Sequence, residues 1–173
     1  MSCSFEQTAH IVCGVKTNIV TAVEIHGQDA SDTLRLPTLM ATTAKNFEVK
    51  EVLADKAYIS TKNLETILAM GATPYIPFKD TATEGKVRGG TWEKMFHYFS
   101  LNREDFFAHY HKRSNVESTV MMIKTKFRDH VRSKTDTAMR NEVLCKILCH
   151  NICCLIGTIH ELGVEPVFWT KPN

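Results

Sequence analysis

Tyr110-His111-Lys112-Arg113-Ser114-Asn115-Val116-Glu117-Ser118-Thr119-Val120-Met121-Met122-Ile123-Lys124 is the stretch on which the reading of the fold turns. Taken as a helix of about 100° per residue, it returns Tyr110, Arg113, Glu117 and Lys124 to nearly one direction, with Lys124 about 10 Å along the axis from Glu117. One carboxylate then stands among cations on a shared face. An acid so placed suits a divalent metal, and bases so placed suit a nucleic-acid backbone. Taken singly, each residue has an ordinary alternative. Arg113 and Glu117 make a surface ion pair worth about 0.3–0.5 kcal/mol, and Tyr110 makes a core aromatic.

Charge around this stretch is uneven. Between Lys112 and Lys134 lie Arg113, Lys124, Lys126, Arg128 and Arg132 against only Glu117 and Asp129, although the 173-residue chain carries a net charge of only +2. A local basic run can neutralise phosphates in a nearly balanced chain; its ordinary alternative is a solvated helix face.

Upstream, the β-branched runs His10–Val15 and Ile19–Ile25 flank the polar break Lys16-Thr17-Asn18 and predict a hairpin. Asp29 and Asp32 follow in a polar turn, and Ser31 or Asp32 is placed to cap a helix from about Thr33 to Lys45, with Pro37 near its start. A third strand is expected from about Phe47 to Ala54, ending on the apolar Val52-Leu53-Ala54, with Asp55 at its C-terminal end. Ser60 and Asn63 open a helix to Met70 that Gly71 stops, and Thr73–Phe78 reads as a short strand limited by its prolines. Strand, helix, strand predicts parallel pairing. The polar, glycine-rich residues 79–90 predict a flexible loop.

From Trp92 onward the chain reads as helical: Thr91–Ser100, then one long helix from a cap at Asn102 through about Phe127, then a last helix from about Thr137 to Leu162 before Gly163. The whole is expected to be one α/β domain over residues 1–173, with strands and crossover helices at about 9–79 and a helical part at about 91–163.

Composition adds a core's worth of apolar residues, 43% of the chain. No apolar run reads as long enough to span a bilayer, and residues 1–8 lack a basic start and an apolar core, so a cytoplasmic protein without a membrane partner is expected. Its cysteines should then be free thiols. Cys145, Cys149 and Cys153 recur every four residues, too widely spread along one helix to share a tetrahedral ion, and read as packing residues, as do Met121 and Met122. No phosphate-binding or dinucleotide glycine pattern is present, which argues against a nucleotide-driven function.

The spacing Tyr110, Arg113, Glu117, Lys124 resembles the YREK signature of DDE-type insertion-sequence transposases. The likeness extends to Ala54-Asp55-Lys56-Ala57-Tyr58, to Gly14–Ile25 and to His150-Asn151, and so covers nearly the whole chain. The resemblance implies an RNase H-like mixed sheet flanked by helices, and metal-dependent cleavage and transfer of DNA strands in transposition. It makes Asp55 the second and Glu117 the third of three carboxylates that hold divalent ions, with Mg²⁺ the expected metal. It puts Tyr110, Arg113 and Lys124 against transposon-end DNA, with Lys112, Lys126 and Arg128 of the basic run beside them, and implies a homo-oligomer that pairs two ends. In that family the first carboxylate lies on an opening strand upstream of the hairpin, and residues 1–8 offer neither such a strand nor an Asp. A segment lacking the first strand, inactive by itself, is the expectation; a non-catalytic DNA-binding remnant is the alternative.

Overall fold

In the computed structural model of the chain, residues 7–27, 32–84 and 89–163 are described. The hairpin forms as expected: β1 (Gln7–Cys13) pairs antiparallel with β2 (Val20–Gly27), with a bulge between Val12 and Cys13. Asn18 takes the left-handed conformation (φ 57°) that closes its turn, a conformation asparagine tolerates better than most residues. The acidic turn expected at Asp29, and Ser31 as a cap, lie outside the described residues. A 3₁₀ turn at Asp32–Leu34 leads instead into α1 (Leu36–Ala44), with Pro37 in its first turn.

The third strand is shorter than its sequence suggests. Only Glu51–Leu53 (β3) pairs, in parallel, with β4 (Thr73–Tyr75), through α2 (Thr61–Ala69). Pro74 has no amide to donate, and β3 has no strand on its other side among the described residues, so little ladder is available to extend it. The strands among the described residues therefore form two separate two-stranded sheets where a single mixed sheet was expected. Caps behaved as read: the Ser60 hydroxyl accepts from the Asn63 amide at 3.1 Å, and Gly71 ends α2 with φ 76°. Buried Asn63 fastens α2 to the turns around it, donating to the carbonyls of Thr33 (2.9 Å) and Tyr58 (2.7 Å).

The long helix predicted from Asn102 to Phe127 is broken. After α3 (Thr91–Leu101) come α4 (Arg103–Tyr110), a 3₁₀ turn at His111–Arg113, and α5 (Ser114–Phe127). The Asn102 side chain makes no cap, and the Ser114 hydroxyl donates to the His111 carbonyl at 3.0 Å, offering that carbonyl a local partner. Two apolar clusters result. One joins α1, β3 and α2 through Leu36, Met40, Val52, Ile67 and Ile76; the other joins α2, β4, α3 and α4 around Phe106, Phe99, Tyr75 and Phe78.

The last helix, α6 (Asp136–Leu162), starts on a Thr135 cap and stops at left-handed Gly163. Its 27 residues are long and apolar enough to cross a membrane by length and composition, contrary to the sequence reading. One face is nevertheless docked on the domain. Fully buried His150 bonds to the Asn18 carbonyl (2.9 Å), and the Asn151 amide pairs with both the N–H and the C=O of Val20, each at 2.8 Å.

Glu142 of α6 gathers the preceding loop, accepting from the Ser133 amide (3.0 Å) and hydroxyl (2.9 Å) and from the Arg132 amide. The bond from the Ser133 amide, joined by that hydroxyl, Arg132 and Lys146, outweighs the opposing effect of burial and holds this carboxyl at about 2 against an ordinary 4.5. A depressed folded-state value stabilises fully above 4.5 and stops doing so as pH falls toward 2. Glu142→Gln should therefore lower stability at neutral pH and flatten the acid limb of denaturation midpoints across that window; superimposable acid limbs would refute the role.

Candidate functional site

The 3₁₀ turn shapes the site. Residues three apart eclipse one another in this conformation, so Arg113 stands over Tyr110, its guanidinium carbon 5.7 Å from the ring centroid. Tyr110 itself is half-buried against the aromatic cluster. One turn into α5, Glu117 accepts from Arg113 at 2.9 Å with two-thirds of its side chain exposed. Tyr110, Arg113 and Glu117 thus stay together across the break in the helix. Lys124 and Lys126 on α5 and Arg128 just past its end have exposed side chains, with Lys124 on the helix face that carries Glu117 and Lys126 turned away from it.

Lys112 is engaged at the other side of the turn. It pairs with Glu51 of β3 at 3.5 Å, and His109 reaches the same carboxylate at 3.1 Å while stacking on Tyr75 with centroids 4.5 Å apart. Burial works to raise the Glu51 carboxyl, but the hydrogen bond and charge from His109, and then those from Lys112, prevail and hold it below its ordinary value. Sequence reasoning missed both Glu51 and His109, since neither stands at a spacing that marks it. Asn115 and Thr119 were also missed. Both donate to the Asn18 side chain, at 2.8 and 3.3 Å, and so seat α5 on the hairpin turn.

Asp55 follows β3 directly. It is half-buried, and one of its oxygens caps the 3₁₀ turn Lys56–Tyr58 by accepting from the Ala57 amide at 3.1 Å. The residue lines a cavity of about 640 Å³ that Lys112 and Arg113 also line. Its walls are residues of β1 (Ala9–Cys13) and of β3 with the chain on either side of it (Val49–Asp55), with Leu36, Leu39 and Met40 of α1 and Val116 and Val120 of α5. Among the described residues each of these strands pairs with one neighbour only, which leaves the edges facing the cavity without a strand partner. Tyr58 spans from one sheet to the other, its hydroxyl 2.8 Å from His10 Nδ1.

The structure thus gathers Asp55, Lys112 and Arg113 at one cavity, with Glu117 held by Arg113. Asp55 and Glu117 are hard oxygen donors of the kind Mg²⁺ takes, yet each has one oxygen already committed. Among the described residues, the group of three metal-type donors lying within 4.8 Å of one another is Glu84, Glu93 and His97, which includes neither. Asp55 lines the cavity and Glu117 does not.

Among known proteins, the family model described as the transposase DDE domain matches residues 5–152. No curated protein and no solved structure matches the chain.

Proposed function

The chain belongs to the transposase DDE domain family, a family of DNA transposition, and we propose that it is a segment of a YREK-type catalytic domain that binds transposon-end DNA. The observation that carries this reading is the convergence of Asp55, Lys112 and Arg113 on one cavity, with Glu117 one turn away on α5. Asp55 and Glu117 are then two of the family's three metal-holding carboxylates. Tyr110, Arg113, Lys112, Lys124, Lys126 and Arg128 form the phosphate-facing surface.

The open cavity supports a place for the remaining carboxylate. A strand laid between β1 and β3 would satisfy both unpaired edges and join the two small sheets into one mixed sheet of RNase H-like order, β2, β1, inserted strand, β3, β4. Its side chains would meet α1 on one face and α5 on the other, both apolar there. Among the described residues that strand is absent, and strand cleavage is proposed only for a domain that has it.

Fluorescence anisotropy with duplex DNA tests the binding. Log affinity should fall linearly with log salt, and Lys124→Ala/Lys126→Ala/Arg128→Ala should weaken binding at least about tenfold and reduce the slope by about 2–3. Binding indifferent to salt would sink the reading. For the carboxylates, the chain extended upstream by an Asp-bearing strand should cleave its element ends with Mg²⁺ and lose that activity in Asp55→Asn and Glu117→Gln. A folded, extended chain that binds its ends without cleaving them would favour the non-catalytic DNA-binding remnant.

A further inference from the structure

We infer that His109 is a positioning residue that makes DNA binding through Lys112 proton-linked: the phosphate draws Lys112 away, and the imidazole takes up a proton in its place. The inference rests on the reading of Lys112 as part of the phosphate-facing surface. His109, on α4, stands where four elements meet. Its Nδ1 lies 3.1 Å from one oxygen of Glu51 on β3 and 3.3 Å from the Lys112 ammonium on the 3₁₀ turn. Lys112 in turn lies 3.5 Å from the other Glu51 oxygen. On its own helix the ring's Nε2 faces Asp105 at 4.0 Å, and on β4 the ring stacks on Tyr75, 4° from parallel.

The two contacts of Nδ1 exclude one another. A lysine ammonium only donates, so its bond to Nδ1 requires that nitrogen to carry no proton. A bond from Nδ1 to Glu51 requires the opposite, since a carboxylate only accepts. While Lys112 holds its place, Nδ1 is its acceptor and meets Glu51 lone pair to lone pair. When a phosphate takes Lys112, the Glu51 carboxylate loses its cation, and a proton on His109 restores one. Moving the proton of the neutral ring to Nδ1 does not serve as well, because Nε2 then faces the Asp105 carboxylate bare. The neighbours other than Lys112 suit an imidazolium: Glu51 and Asp105 by charge, and Tyr75 as an aromatic face beneath a cation. Imidazole is the side chain that changes charge between about pH 5 and 8, so the exchange falls near neutral pH. Linkage gives the sign: binding that takes up a proton tightens as pH falls.

Calorimetric titration of the full 173-residue chain with mixed-sequence duplex DNA, in buffers of differing ionisation enthalpy, counts the protons taken up. His111 and His130 also lie along the basic run, so the expectation is a difference between proteins. At about pH 7 the wild type should take up roughly 0.3–0.7 proton more than either His109→Gln or Lys112→Ala, with no further loss in the double variant. Between about pH 8 and 6 its affinity should rise by roughly tenfold more than theirs. Lys112 is exposed, so Lys112→Ala keeps the fold and carries the test even where His109→Gln does not. Equal uptake in the wild type and Lys112→Ala would overturn the inference. So would uptake lost in His109→Gln and kept in Lys112→Ala, since His109 would then meet the phosphate itself. Binding indifferent to salt would overturn the reading of the surface and this inference with it; salt-dependent binding with unchanged uptake would overturn this inference alone.

Discussion

Phe106→Ala is expected to lower the free energy of unfolding by about 3–5 kcal/mol, a large share of what a domain of this size ordinarily has. The Phe106 ring is fully buried and lies 5.0 Å from Phe99, 5.4 Å from Tyr75, 5.9 Å from Phe107 and 6.0 Å from Tyr98, centroid to centroid. Those rings come from β4, α3 and α4, so its removal opens a void shared by three elements. Aromatic neighbours on several sides cannot all move in to fill it without leaving their own packing. The loss also reaches the candidate site, because α4 ends at Tyr110 and feeds the 3₁₀ turn that presents Lys112 and Arg113. Guanidinium unfolding of the wild type, Phe106→Ala and the larger Phe106→Leu measures this, with Leu expected to cost less. A Phe106→Ala variant within about 1 kcal/mol of wild type would mean the site collapses freely and that this ring is not the centre of its cluster.

The second large effect is expected at Asn151. Its side chain reproduces a strand's pairing, accepting from the Val20 N–H and donating to the Val20 C=O, both at 2.8 Å. Val20 is buried, so Asn151→Ala strands two backbone groups away from water as well as removing two bonds. Leaving a buried polar group unpaired costs about 1–3 kcal/mol, and about 2–4 kcal/mol for this pair of groups allows for partial relaxation. Hydrogen exchange distinguishes this from general loosening. The Val20 amide should exchange much faster in the variant, while amides in the body of the hairpin, such as that of Val23 opposite Ile11, should accelerate only as far as global stability falls. Equal acceleration at all these positions would show that Asn151 acts on the whole domain and not through Val20.

Local features were largely legible from residue order. The Ser60 cap, the left-handed stops at Gly71 and Gly163 and the hairpin turn at Asn18 each depend on atoms within a turn of one another, so residue type and spacing determine them. The site was partly legible for the same reason. Tyr110, Arg113 and Glu117 lie within eight residues and remain together even though the helix that was expected to align them is interrupted. Lys112 was read only as a cation of the basic run. Its partner Glu51, and the His109 that shares it, come from 61 and 58 residues' separation, which no local pattern announces.

By itself, then, the sequence determined where most helices begin and end, the antiparallel hairpin, the parallel strand–helix–strand unit, and the membership in a transposase family that its motif spacing suggested. Only the tertiary structure decided that β3 is three residues long, that the strands among the described residues stand in two sheets with a cavity between them, and that Asp55 shares that cavity with Lys112 and Arg113. It alone showed that α6 docks through His150 and Asn151 while leaving Leu148, Ile152 and Ile156 exposed. The division is physical: caps and turns are satisfied by neighbours in sequence, whereas strand edges, helix faces and cavities are set by which distant groups arrive to pair with them, and by which do not.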